Sequence, residues 1–245
     1  MNPVTISFWH GWGADPGVWT DLTASLRQIL PPGHVLHTPP LPGYADTPLP
    51  ESHAARDMVD ALMETLPPPA IVCGWSLGAV LALLAASVYS NRIDKLILIA
   101  GTPAFIKRTD WQHGTGFQAV DKLSSNIRVD PVSALRRFVA FANQNDAQAQ
   151  QIVQQFHAPA VSLQTLEVGL NLLKHTDLRG VAPHIRQKTL LIHGAHDPLM
   201  PLGAAQWLQK NIKKAELTVF PDSAHAPFLS DTAHCARVIA DFMNA

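Results

Sequence analysis

Short apolar runs of strand length alternate with longer stretches of helical spacing, and this alternation limits the fold more than any other feature. The strand candidates in the first half are VTISFW (4–9), HVLHT (34–38), AIVCG (70–74) and KLILIAG (95–101). Between them, VWTDLTASLRQIL (18–30), HAARDMVDALMETL (53–66) and SLGAVLALLAASVYS (76–90) carry helical spacing. A strand that is apolar throughout suits burial on both faces, which is the situation of a parallel sheet covered by helices. Residues 105–185 contain no strand-like run and read as helices and loops. The alternation then resumes with TLLIHG (189–194), a helix over 203–212, ELTVF (216–220) and a last helix over 231–243. The expected fold is α/β: a mostly parallel sheet with helices on both faces, interrupted by a helical insertion before its last two strands.

Composition narrows the function classes. With 245 residues and 47% hydrophobic content the chain can bury one sizeable core. A net charge of −1 gives no general drive toward nucleic acid or an anionic membrane. The longest nearly unbroken apolar stretch, Leu77 to Tyr89, falls short of the ~20 residues a membrane span needs. No Lys or Arg occurs among the first 26 residues, so the charged start of a signal peptide is missing. Two cysteines, Cys73 and Cys235, form no disulfide framework. A cytoplasmic monomer that binds neither nucleic acid nor membrane is expected.

Three residues carry the chemistry. In open parallel sheets functional groups gather beyond the carboxyl ends of the strands. Ser76 follows the strand 70–74, Asp197 follows 189–194 in HGAHDPLMP, and His225 follows 216–220 in PDSAHAPF. CGWSLGA (73–79) holds Gly-x-Ser-x-Gly on a strand–turn–helix, and the chain order Ser, Asp, His is that of the α/β-hydrolase arrangement. Gly74 and Gly78 leave room for the sharp turn that strains the serine backbone. A serine hydroxyl needs a base to take its proton. His225 is the expected base and Asp197 the group that orients it. Two backbone N–H groups should receive the oxyanion: that of Leu77, directly after the serine, and that of Trp12 in HGWG (10–13). The Trp12 side chain is placed to wall the acyl pocket. Asp222, on the same loop as His225, is the rival carboxylate. His193 and His196 flank Asp197, but no further spaced ligands accompany them, so no metal is expected. His10 reads as a residue that orders its loop.

The whole chain resembles the α/β-hydrolase superfamily. More closely it resembles the pimeloyl-[acyl-carrier protein] methyl ester esterase family, the carboxylesterases of biotin synthesis. The stretches that carry the likeness are HGWG (10–13), VW (18–19), LPGY (41–44), GWSLGA (74–79), RRFVAFA (136–142), DLR (177–179) and AHAPF (224–228). The resemblance implies a hydrolase core from residues 1–104 and 186–245 with a helical lid at 105–185. It implies hydrolysis of the methyl ester of pimeloyl borne on acyl-carrier protein, through an acyl-Ser76 intermediate and with no cofactor. It places Trp12, Ser76, Leu77, Phe138, Val139, Ala140, Phe141, Ala142 and His225 at the substrate. Arg136 and Arg137 match one place where such enzymes grip the acidic carrier, whereas glutamines follow in DAQAQQIVQQF (146–156). Residues 105–185 carry a net +2 and the remainder −3, a charge asymmetry of the right sign. The family has a longer N-terminus, so its small antiparallel hairpin before the first parallel strand is missing or reduced here.

The same fold also serves C–C bond hydrolases, lactonases and generalist short-chain esterases, and fold alone does not choose among them. A non-catalytic ligand-binding module would require a damaged triad or a blocked oxyanion loop. The sequence has neither.

Overall fold

The computed structural model describes residues 4–244. Its sheet has six strands: β1 (Thr5–Trp9), β2 (Val35–His37), β3 (Ala70–Trp75), β4 (Ile93–Ile99), β5 (Lys188–Gly194) and β6 (Ala215–Phe220). They lie in the order β2-β1-β3-β4-β5-β6, and every neighbouring pair is parallel. Building outward from β1, the chain runs first to β2 and then back across to β3. The direction of winding therefore switches between β1 and β3, and crevices for ligands open beyond the carboxyl ends of strands at such a switch. The Trp12 loop leaves β1 and the Ser76 turn leaves β3, so both stand at this crevice. Among the described residues no antiparallel strand precedes β1, and the short β2 forms that edge.

Helices cover both faces because the central strands are apolar on both. Successive residues point to opposite sides of the sheet. On one side Ile71, Cys73, Ile97, Ile99, Leu190 and Ile192 form a core with Leu22 and Leu26 of α1 (Thr20–Ile29) and Ile239 and Phe242 of α10 (Thr232–Asn244). On the other side Val72, Leu96, Leu98 and Leu191 pack against α2 (Ala55–Glu64), α3 (Leu77–Val88) and α8 (Leu202–Asn211). Helix α3 is buried around most of its circumference, as expected of a helix apolar on all sides.

Two elements differ from the sequence expectation. The helical run 18–30 is divided into a 3₁₀ turn over Pro16–Trp19 and then α1. Asp15 accepts a hydrogen bond from the Gly17 N–H at 2.7 Å and Pro16 occupies the first turn, so the turn starts earlier than hydrophobic spacing indicates. Strand β4 stops at Ile99 rather than 101, because Ala100 adopts φ 47° and turns the chain out of the sheet.

Between β4 and β5 lie α4 (Phe117–Val129), α5 (Pro131–Ala142), α6 (Ala149–Gln155) and α7 (Leu163–His175), joined by loops with only isolated bridges. Asp130 caps α5 by accepting from the Ser133 N–H, with Pro131 at the first helical position. Ser162 caps α7 through the Thr165 N–H. Leu135, Leu166, Leu170 and Leu173 join the same apolar cluster as the sheet face beneath them. The helical segment is thus packed on the core through α5 and α7. A further short helix, α9 (Pro227–Ser230), stands between the His225 loop and α10.

Candidate active site

Strand β3 ends at Trp75, Ser76 takes φ 57° and ψ −117°, and α3 begins at Leu77. This is left-handed territory for a residue with a side chain, and it persists only when its surroundings fix it. The surroundings do so. The Ser76 N–H donates to Ile99 O at 3.1 Å, and Ser76 O accepts from Ala79 N and Val80 N at 3.0 and 3.1 Å. The two glycines let the backbones meet. A Cβ at Gly74 would lie 2.7 Å from Ala79 Cα, and one at Gly78 would lie 2.6 Å from His10 O.

The three residues expected to converge are in hydrogen-bond contact. His225 Nε2 lies 2.9 Å from Ser76 Oγ, and His225 Nδ1 lies 2.8 Å from Asp197 Oδ2. A carboxylate only accepts, so Nδ1 carries the ring proton and the Nε2 lone pair accepts from the serine hydroxyl. Asp197 is oriented by its other oxygen, which accepts from Leu199 N and Met200 N at 2.9 Å each. All three residues are at least 94% shielded from solvent, with 5%, 6% and 2% exposure for Ser76, Asp197 and His225. Burial by itself pushes the Asp197 carboxyl upward. The facing His225, its hydrogen bond and nearby His193 outweigh burial and hold it below the usual carboxylate range.

The neighbouring polar residues have other tasks. His193 Nε2–H donates to Met200 O at 2.6 Å, and burial lowers its pKa, so a neutral ring braces the 197–200 turn. His196 and Asp222 are exposed, and Asp222 therefore offers no rival to Asp197. Among the described residues no group of three His, Cys, Asp or Glu side chains is disposed to hold a metal ion. Cys73 and Cys235 are buried free thiols whose pKa values burial pushes up.

The loop after β1 faces the serine. A Cβ at Gly11 would lie 3.2 Å from Ser76 Cβ, so the loop runs directly against the serine at Gly11, the residue before Trp12. His10 orders this loop: its Nδ1–H donates to Gly11 O at 2.8 Å and its Nε2 accepts from Leu41 N at 3.0 Å. Burial lowers the His10 pKa to about 4, so the ring is neutral. Tyr44 Oη accepts from Gly13 N at 2.9 Å and fixes the far end of the loop. Leu77 opens α3, where first-turn N–H groups have no acceptor within the helix and point outward beyond its end. The Trp12 ring donates to Leu166 O at 2.8 Å and meets Phe138 edge-on at 5.0 Å.

Beside His225 and Trp12 is a cavity of about 420 Å³, lined also by Trp75, Phe138, Val139 and Ala142; Ser76 and Leu77 are not among its lining residues. Asp15, Asp21 and His157 stand on its wall as well. The expected run of five lining residues on α5 reduces to Phe138, Val139 and Ala142. Ala140 and Phe141 face solvent, Phe141 with 47% exposure, because successive helical residues turn by ~100°. Arg136 and Arg137 are exposed on the same helix and lie outside the cavity lining.

The sequence reading missed two residues that hold the site. Trp75 donates from Nε1 to His225 O at 2.8 Å, and Tyr44 secures the Gly13 turn. Trp75 sits inside the quoted GWSLG, and Tyr44 inside LPGY, so the signal was present without its meaning.

Comparison with known proteins agrees with this fold. The alpha/beta hydrolase family matches residues 8–240. A protein of Aromatoleum aromaticum named pimeloyl-[acyl-carrier protein] methyl ester esterase is 38% identical, covering 98% of each chain. One of the same name from Nitrosospira multiformis is 34% identical over 90% of this chain and 87% of its own. Among solved structures, an esterase from Exiguobacterium antarcticum superposes with a TM-score of 0.87 at 22% identity, over 100% of this chain and 93% of that one. An enol-lactonase from Burkholderia xenovorans superposes with 0.82 at 19%, over 100% and 93%, so fold likeness crosses different activities. From strand order, serine turn and sequence match together, the chain belongs to the alpha/beta hydrolase family.

Proposed function

We propose that the chain is a serine carboxylesterase that hydrolyses the methyl ester of a pimeloyl group carried on acyl-carrier protein. The observation that carries this reading is the hydrogen-bonded chain Asp197–His225–Ser76, with His225 on the wall of a mostly apolar cavity, in a protein 38% identical to one named for that reaction.

The geometry supports the following steps. Ser76 Oγ attacks the ester carbonyl carbon while its proton passes to His225 Nε2. Asp197 stabilises the imidazolium and keeps the ring in register. The N–H groups of Leu77 and Trp12 hold the oxyanion, each worth roughly 3–4 kcal/mol of transition-state stabilisation. The tetrahedral centre collapses, the C–O bond to methoxide breaks, and His225 returns the proton so that methanol leaves. Water then attacks the acyl-Ser76 carbonyl, giving its proton to His225, and the free carboxylic acid departs as the proton returns to Ser76. Proton transfer and covalent attack are supplied by the chain and water, so the steps need no cofactor.

Trp12 and Phe138 wall the aliphatic chain, and residues 105–185 act as its lid. Arg136 and Arg137, exposed beside Phe141 on α5, give the acidic carrier a cationic and apolar place to dock. Exposed ion pairs contribute only ~0.2–1 kcal/mol each, so this docking is weak and salt-sensitive. Reduced Cys73 and Cys235 suit the cytoplasm, where the chain works as a monomer. No described helix is long and apolar enough to cross a membrane.

The test is complementation of a biotin-requiring strain that lacks its own esterase, beside hydrolysis of pimeloyl-carrier methyl ester in vitro. Growth with the wild type and none with Ser76→Ala is expected. Robust turnover of simple methyl esters with no growth and no action on the carrier-borne ester would overturn the substrate assignment.

A further inference from the structure

The turn between α5 and α6 contains a carboxylate that the steps above do not use. Asp146 is only 7% exposed. Its Oδ2 accepts from the N–H of Ala224 at 2.7 Å, the residue directly before His225. Its Oδ1 accepts from the Ser230 hydroxyl at 2.8 Å, on α9, and from the Gln148 N–H at 2.8 Å. Two backbone bonds run alongside: His225 N to Ala142 O at 3.3 Å, and Ala147 N to Asp222 O at 2.9 Å. Residues 142–148 thus grip the chain on both sides of His225, and Trp75 holds its carbonyl from below.

We infer that Asp146 is a positioning residue for His225, tying the cavity-lining end of α5 to the base so that ring and pocket wall keep one fixed relation. This rests on the reading of His225 as the base. Three features of the contact support it. The Ala224 N–H lies in a buried loop (Ala224 is fully shielded) and would be an orphan donor without the carboxylate. One carboxylate spans three elements, so it fixes their relative placement and not just a local turn. Ala142 takes part in the same strap and also lines the cavity, so a shift of α5 is transmitted to the residue beside Ser76. The three donors also explain the residue type. Two oxygens with four lone pairs can accept all of them, while an amide must turn its NH₂ group toward at least one donor.

The experiment compares Asp146→Ala, Asp146→Asn and His225→Ala in the full chain, using p-nitrophenyl butyrate turnover, fluorophosphonate labelling of Ser76 and thermal melting. A displacement of the base by about 1 Å lowers rate by as much as ~100-fold, so kcat should fall about tenfold in Asp146→Asn and up to ~100-fold in Asp146→Ala, with KM within about twofold. The decisive reading is the labelling rate in the double variant His225→Ala/Asp146→Asn. If Asp146 acts through His225, the second substitution should slow labelling by less than about twofold once the ring is gone. A kcat within twofold of wild type in folded Asp146→Asn would overturn the inference, and so would a loss that multiplies undiminished in the His225→Ala background. If Asp146→Ala fails to fold, Asp146→Asn and Ser230→Ala supply the same comparison. Near-normal activity of His225→Ala itself would instead remove the base assignment on which the inference stands.

Discussion

Replacing Asp197 by asparagine tests the site through one proton. In the wild type, Oδ1 of Asp197 is held by two backbone N–H groups, Leu199 and Met200, at 2.9 Å each. An asparagine must keep its oxygen on those donors, because the flipped amide would set its NH₂ group against both. Leaving two buried donors unsatisfied costs roughly 1–3 kcal/mol apiece, so the flip is opposed by about 2–6 kcal/mol. The favoured amide therefore points its NH₂ group at His225 Nδ1, 2.8 Å away in the wild type, and Nδ1 must become the acceptor. The ring proton moves to Nε2, which faces Ser76 Oγ at 2.9 Å and can no longer take a proton from it. At 1.4 kcal/mol per factor of ten, the productive tautomer is depleted by between about 30-fold and about 10⁴-fold, the upper end being the loss known for a carboxylate-to-amide change in a serine triad. Shape and packing are conserved, so KM should stay within about twofold of wild type. Pre-steady-state hydrolysis of p-nitrophenyl butyrate, with thermal melting to verify the fold, reads the effect. A folded Asp197→Asn enzyme with kcat within tenfold of wild type would refute the reasoning about the locked amide.

Other consequences are open to direct measurement. Gly78→Ala should place a Cβ 2.1 Å from Trp9 O and 2.6 Å from His10 O, where ordinary contacts begin near 3.4 Å. The end of β1 must yield by more than an ångström, so stability should drop by ~1–3 kcal/mol or more and kcat by about tenfold or more as the Trp12 loop moves. A melting temperature and kcat equal to wild type would contradict the close approach. Burial lowers the His10 pKa to about 4 in the folded chain, against 6.5 for a histidine free in water. Between those values the unfolded chain binds a proton that the folded one does not. Stability should therefore decline as pH drops from 6.5 to 4, by about 3 kcal/mol from this group, and the slope should shrink in His10→Gln when urea unfolding is followed across that range. Trp75→Phe retains an aromatic ring to face Phe228 and removes the donor to His225 O. It should cost about 1 kcal/mol in stability and lower kcat severalfold with KM unchanged; an effect on KM alone would point to the cavity wall instead of the loop. Neutralising Arg136 and Arg137 together should reduce kcat/KM about two- to tenfold on the carrier-borne ester in low salt and leave p-nitrophenyl butyrate turnover unchanged.

The layers and the chemistry were legible from local sequence. Continuous apolar runs at β1, β3, β4 and β5 announce strands buried on both faces, because the two-residue period of a strand and the 3.6-residue period of a helix are local properties. Gly-Trp-Ser-Leu-Gly announces the elbow for a similar reason: the strain at Ser76 and the contact of Gly74 with Gly78 and Ala79 arise within a few residues of one another, whereas the contact of Gly78 with the end of β1 is a tertiary one. Asp197 and His225 were legible by position, since each follows a strand whose carboxyl end had to lie beside that of β3. Contacts between residues remote in the chain became visible only once the elements were packed. The Trp12 indole finds its acceptor 154 residues away at Leu166, and Asp146 finds Ala224 78 residues on. No local period encodes such a pairing, because one acid in a polar turn looks like any other until packing removes water from around it. The same holds on α5, where FVAFA (138–142) reads as one apolar stretch. Only the docking of that helix on the sheet determines that Phe138 and Ala142 face the cavity while Phe141 faces solvent.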